Sequence, residues 1–563
     1  MADLVVRDAL LVDGTGAPSR RGDLAVTGGK ITSVGGAAER GTTEIDAGGL
    51  ALAPGFIDLH THYDCQLFWD PHASPSPWHG VTTVVMGNCG FTIAPCRPAD
   101  RETLMRLLLY VEGMPIETLR AGIPWEWEDY AGYLGALERR GLGVNVVSFI
   151  GHSAIRVAVM GEAALERTAT GEERQAMAAL VREGVAAGAI GWSTSLSPTH
   201  FFGDTGQPAP SRVADRDELL ALASALRDAP HGVIELAPGT IAKPSDEKLA
   251  EIGLFADLAR ASGKVVSFAP LLASPFAPGL GEQMLAEVAR LQRDGVQVVP
   301  QVGCRPLELR FDFANPAFGL ENNPFWKPIM AESREARRRR FADPAFRKEL
   351  AGMTTFVAAL APSWERLFLR VAATDRLRPL QDQSLVTLSA ARGQDPVDTL
   401  CDLALEENLE TQWGAVMMNA ESDGVAAMIP HPAAVLALSD AGAHVDTLCD
   451  QGYTSYLLGH WVRERGTLSL EDGVRLLTSV PADRYGLAGR GRLAPGMAAD
   501  MVLFDPARVA MRPTEVVHDL PEGQHRLLQR AEGIEYVFVN GAPVVERGVP
   551  IDRRPGRVLR GGK

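Results

Sequence analysis

Eight short apolar runs punctuate the middle of the chain, and they constrain its fold more than any other feature. They are 55–60 (GFIDLH), 81–87 (VTTVVMG), 144–151 (VNVVSFIG), 189–195 (AIGWSTS), 232–237 (GVIELA), 264–270 (KVVSFAP), 296–302 (VQVVPQV) and 434–440 (AVLALSD). Each is rich in β-branched residues, and each has the length of a strand buried on both faces. Amphipathic helical stretches lie between several of them, at 174–188, 216–228, 247–263 and 282–295. Eight alternating β/α units predict a TIM-type (β/α)8 barrel over residues 54–493, with active-site side chains at the C-terminal strand ends. Two stretches interrupt the alternation. Residues 92–143 form one excursion, and 302–433 form a larger insertion expected near the barrel mouth. The basic run SREARRRRF inside it reads as a solvated helix face.

Both chain ends have a different texture. Residues 1–53 and 494–563 alternate in polarity and are broken by Gly and Asp. VFVNGAPVV reads as a hairpin with Asn540-Gly541 as its type I′ turn. Two strand-rich ends around a different middle predict one small β-sandwich domain built from both.

Composition narrows the function. The 563 residues can bury a sizeable core, and a net charge of −15 offers no footprint for phosphates. Neither nucleic acid nor a membrane is expected as partner; a small molecule is. MADLVVRDALLVDGTG has no basic start followed by a long apolar core, which predicts no secretory leader. Six scattered cysteines (Cys65, Cys89, Cys96, Cys304, Cys401, Cys449) suit a reducing, cytoplasmic setting without disulfides.

The chemistry concentrates at strand ends. In GFIDLHTHYD, His60 and His62 are two residues apart and so point the same way on a continuing strand. Two imidazoles there can hold a divalent cation, with Zn²⁺ the natural match. The alternative is a polar loop. Cys89, in the glycine-flanked turn of VTTVVMGNCGF, can ligate as a thiolate or stay a buried thiol. Asp440 ends the eighth run in ALSDAGAH; it can touch the metal and take a proton from water, or simply cap a helix. His152, after the third run, is a candidate catalytic group for a substrate carbonyl or oxyanion. Ser195, at the end of the fourth run, His200, after it, and His444, after Asp440, are candidate substrate-binding residues.

Together these motifs resemble the amidohydrolase superfamily, and within it the N-acyl-D-amino-acid deacylases. The resemblance runs through PGFIDLHTHYD, GVTTVVMGNCGF, GHSAIR, GAIGWSTSL, LSDAGAH and GRLAPGMAADMVLFDP. It implies a metal-dependent hydrolase of amide C–N bonds. His60 and His62 would be metal ligands, Cys89 would take the bridging-ligand place, and Asp440 would be the acid/base. The chain departs from that pattern where strands five and six of the family each end in a further metal-binding histidine. Here those places fall on Glu235 and the Ser267-Phe268 pair. The lysine and the arginine that engage the family's substrate are not evident either. The expected centre therefore holds one or two divalent ions, with one preferred, on His60, His62, Asp440 and Cys89, and Glu235 as an added oxygen ligand. Cyclic amides, carbamates, or a lyase or cyclase step are the alternatives to an N-acyl amino acid.

Overall fold

The computed structural model describes every residue except 241–242, 316–319, 321–322, 354–362, 421 and 563. Parts of the predicted 302–433 insertion therefore lie outside the described residues.

All eight apolar runs form strands: β1 (Phe56–Asp58), β2 (Val81–Met86), β3 (Asn145–Ser148), β4 (Gly191–Ser195), β5 (Val233–Ala237), β6 (Val265–Leu271), β7 (Val298–Val302) and β8 (Val435–Leu436). β1, β2 and β3 pair in that order, all parallel. β4 to β8 also pair in chain order and parallel, and the two-residue strand Ile150–Gly151, just after β3, pairs with β4. Beyond the strand ends, Thr61 bridges Ala441 in the parallel sense, and His62 N donates to Ala441 O at 2.7 Å. Nearly every residue of these strands is buried. That is why they read as continuous apolar runs and not as alternating ones.

Helices cover this α/β fold. α1 (Arg101–Val111) lies in the first excursion, and α2 (Gly171–Ala187), α3 (Arg216–Ser224), α4 (Ser245–Ser262) and α5 (Leu280–Arg293) separate the later strands. α2 starts at a capping box, in which Thr170 Oγ1 accepts from Glu173 N and the Glu173 carboxylate accepts from Thr170 N.

The chain ends share one nine-stranded sheet. Ala51–Pro54 pairs with Ala2–Leu11 on one side and with Met501–Phe504 on the other. Ile534–Val539 and Ala542–Glu546 form the hairpin, and Asn540 (φ 48°) and Gly541 (φ 85°) both take the left-handed conformation its turn needs.

The insertion has its own antiparallel sheet, with Gln412–Met418 between Leu307–Phe311 and Leu367–Val371. Its separate core includes Phe313, Trp326, Phe341, Leu367 and Trp413. The basic run is a helix, Arg334–Ala342. Arg334 pairs with Glu410, while Arg337 turns inward to donate to Phe313 O. Among the described residues no helix is long and apolar enough to cross a membrane. All six cysteines are buried and free.

Candidate metal centre

Short extensions of β1, β2 and β8 bring four donors together. His60 and His62 follow β1. Cys89 is carried in by the turn after β2, where it adopts φ 55° between Gly87 (φ 76°) and Gly90 (φ 78°). A side chain on Gly90 would meet the Thr194 backbone at 3.0 Å, so glycine lets this turn lie flat against β4. Asp440 follows β8, at φ 49°. One ligand atom each from His60, His62 and Cys89 lies within 4.8 Å of the others. Asp440 Oδ1 is 3.4 Å from His60 Nε2 and 3.3 Å from His62 Nε2, and Cys89 Sγ is 3.6 Å from His60 Nε2.

These separations test the fit of a cation. Metal–ligand bonds of about 2.0–2.3 Å in tetrahedral coordination place neighbouring donors roughly 3.3–3.8 Å apart. The three spacings fit donors around a small divalent ion. The outer ring nitrogens support the same orientation. Gln301, on β7, donates through Nε2 to Ser267 Oγ and Tyr485 Oη, both at 3.1 Å. Its Oε1 is thereby left to accept from His60 Nδ1 at 2.9 Å, which turns the bare Nε2 of His60 toward the centre. Glu112 Oε1 stands 3.1 Å from His62 Nδ1, a carboxylate beside the outer nitrogen of the second ring.

Charge follows from this packing. Burial lowers the His60 imidazole to about 4, against the pull of Asp440. For His62 burial also acts downward, but Glu112, Asp440 and Cys89 outweigh it and raise the ring well above its ordinary value. Burial opposes ionisation of Asp440, yet the two histidines hold its carboxyl far below the usual range. Burial and the Glu235 carboxyl push the Cys89 thiol up, so thiolate ligation needs a cation beside it.

Glu235 is the middle residue of β5, Val233–Ala237. Its Oε2 accepts from Cys89 N at 2.7 Å, its Oε1 is buried without a hydrogen-bond partner, and burial lifts the carboxyl to about 8. Of the Ser267-Phe268 pair, Ser267 is in register with Glu235 and bonds Gln301, whereas Phe268 packs on Phe255 of α4 with ring centroids 5.0 Å apart.

Above the centre is a cavity of about 200 Å³. Leu307 and Leu309 of the insertion line it, with Leu272, Leu438 and Leu448. His200 and His444 line it as well. Ser195 does not; it lies behind His200, with its Oγ 2.6 Å from His200 Nδ1, and so acts on the pocket through that ring. His152 departs from its expected catalytic place. It is fully buried away from the pocket, with Nδ1 at 2.9 Å from Thr194 Oγ1 and Nε2 at 2.7 Å from Glu218, which also pairs with Arg156. A buried carboxylate and guanidinium claim the imidazole for the interior. Sequence reasoning missed Glu112 and Gln301. The one local hint at Glu112 is a carboxylate at a helix C-terminus, where the dipole disfavours it.

A buried His/His/Cys cluster with an ionised carboxylate, set at strand ends under an apolar cavity, defines a metal-dependent hydrolase. The amidohydrolase family profile matches residues 43–545, and the chain belongs to that family. It is 30% identical to the D-aminoacylase of Alcaligenes xylosoxydans xylosoxydans, over 99% of this chain and 97% of that one. Among solved structures it is similar to a D-aminoacylase studied for its binuclear metal centre, with one-metal activation and second-metal attenuation (25% identity, both chains covered in full, TM-score 0.68). It is also similar to the N-acyl-D-glutamate deacylase of Bordetella bronchiseptica in complex with zinc and a phosphonate mimic of the tetrahedral intermediate (25% identity, 99% of each chain, TM-score 0.66).

Proposed function

We propose that the protein is a cytoplasmic zinc-dependent deacylase of N-acyl-D-amino acids, working with one tightly held ion. The observation that carries this reading is the convergence of His60, His62, Cys89 and Asp440 under an apolar cavity. The deacylase relatives supply the substrate class. The preference for one ion rests on Ser267 and Phe268, a weak oxygen donor and an apolar ring where a second ion would need stronger donors.

We read the eight strands as a closed barrel, in which the Thr61–Ala441 bridge joins β1 to β8 and Ile150–Gly151 joins β3 to β4. The sheet of residues 1–53 and 494–563 buttresses it, and the 302–433 insertion roofs the cavity.

When bound, the ion polarises the scissile carbonyl and acidifies water. His60, His62, Cys89 and Asp440 would hold it. Asp440 Oδ2 accepts the proton of the attacking water and returns it to the leaving nitrogen. The apolar walls take the acyl chain and exclude bulk water. His200 and His444 border the substrate.

The test is elemental analysis of purified protein together with hydrolysis of N-acetyl-D- and N-acetyl-L-amino acids. The reading expects about one zinc per chain and release of the free D-amino acid. Two tightly held ions would overturn the single-ion part. Turnover confined to L-enantiomers or to cyclic amides would overturn the substrate.

A further inference from the structure

An N-acyl amino acid brings a carboxylate into the site, and the cavity offers few groups to receive it. Among the described residues lining it, Arg305 is the only arginine or lysine. It follows β7 by three residues, between Cys304 and the insertion. Its side chain is 12% exposed. Nη1 is fully engaged: it donates to Cys449 O at 2.7 Å and to Gln529 Oε1 at 2.9 Å, and lies 3.2 Å from Asp450 Oδ1. The guanidinium also lies over the Tyr456 ring, 5.9 Å from its centroid. Nε, on the opposite edge, is buried with no hydrogen-bond partner among the described residues. A fixed guanidinium whose Nε–Nη2 edge has no acceptor is the standard counterpart of a bidentate carboxylate.

Resting on the deacylase reading, we propose that Arg305 is the specificity-determining residue that grips the carboxylate of the substrate's amino-acid part. Its position suits the task. Arg305 and Asp450 border both the apolar cavity over the metal centre and an outer cavity that reaches Arg512, Thr514 and Val516. The charged end of the substrate would therefore stand at the exit, where desolvation costs least, while the acyl end meets the leucines. Asp450, against Nη1, fixes the guanidinium but also repels the incoming anion. Its charge therefore limits affinity for acids and favours product release.

The test compares N-acetyl-D-leucine with N-acetyl-D-leucinamide, which differ only in the carboxylate. KM is measured on the zinc-loaded enzyme, and binding by calorimetry on the Asp440→Asn protein. The wild type should favour the acid by about 100-fold in KM, the range for a charge-assisted bidentate contact. Arg305→Gln should raise KM for the acid about 100-fold and so abolish that preference. Arg305→Lys should restore part of it, and guards against a Gln variant that fails to fold. Asp450→Asn should lower KM for the acid alone. An acid-to-amide ratio unchanged in both Arg305 variants overturns the proposal, and so does failure of the protein to bind either compound. Turnover of the acid with that unchanged ratio leaves the deacylase reading standing and removes only Arg305. Selective binding of the acid without turnover does the reverse.

Discussion

Asp440 and the residues around it define how the site works one side chain at a time. Replacing Asp440 with Asn keeps its size and removes the proposed base. Turnover should fall about 10²–10⁴-fold, with KM changed far less, as steady-state kinetics would show. An active Asp440→Asn enzyme would send the search for the base elsewhere in the pocket. Gln301→Leu makes a different demand. It strips the acceptor from His60 Nδ1 and should weaken metal affinity by about 10–100-fold, read as faster zinc loss to a chelator, with activity partly regained in excess zinc. Unaltered zinc retention would show that Gln301 is not what orients the ring. These two residues also show what a sequence reveals. His60, His62, Cys89 and Asp440 stood out because a strand end is local: spacing of two puts both imidazoles on one side, and glycines flag the turn that delivers the thiol. Gln301 and Glu112 reach the same histidines from β7 and from the end of α1, and only tertiary packing brings them there. His152 carried a motif-like setting in FIGHSAIR, but its partner Glu218 lies 66 residues further on and was invisible from it.

At the scale of elements, that partnership fastens α3 to the segment after β3. Glu218 is wholly buried, 2.7 Å from His152 Nε2 and 2.5 Å from Arg156 Nη1. Burial raises its carboxyl, but His152 and Arg156 win and bring it to about 2. A folded-state value below the unfolded one means that stability is present above the unfolded carboxylate range, near ~4.3. It is lost as pH falls through about 2. His152 is lowered by burial, against Glu218, so it too loses stability as the pH drops below ~6.5, where the unfolded chain takes up the proton. Glu218→Gln should cost about 3–5 kcal/mol at pH 7 in urea unfolding, the range for breaking a buried pair. The gap to wild type should close as the pH drops below about 4.3. A constant gap across that window would rule out the ionised pair as its source. The strands themselves were legible because β-branched runs of this length are buried on both faces. The insertion was legible only as an interruption, since its sheet pairs Leu307–Phe311 with Gln412–Met418 across a hundred residues in which the third strand, Leu367–Val371, is only five residues long.

The whole molecule is held together by chain ends that return to one another and to the parallel strands β1 to β8. Residues 556–559 lie along β3: Gly556 N donates to Leu142 O at 2.7 Å, Val146 N to Arg557 O at 2.8 Å and Leu559 N to Val146 O at 2.8 Å. Leu559 is buried in the cluster that contains Ile57, Val85 and Val147. The approach is so close that only glycine fits at its start. A Cβ on Gly556 would stand 2.0 Å from Val144 O and 2.4 Å from Val144 C, main-chain atoms that cannot swing aside. Gly556→Ala should therefore lift the segment off β3, giving up three hydrogen bonds and the burial of one leucine. At about 1 kcal/mol per bond and 2 kcal/mol for the side chain, the loss is roughly 3–5 kcal/mol, seen as an earlier thermal transition at fixed scan rate. Gly253→Ala is the matched control, because nothing lies within 4 Å of its added methyl and it sits inside α4, where alanine is the better helix former. That variant should match or exceed the wild type. If Gly556→Ala melted with the control, the returning segment would be a passive tail, and the parallel strands would be stable without the clamp that residues 556–559 provide.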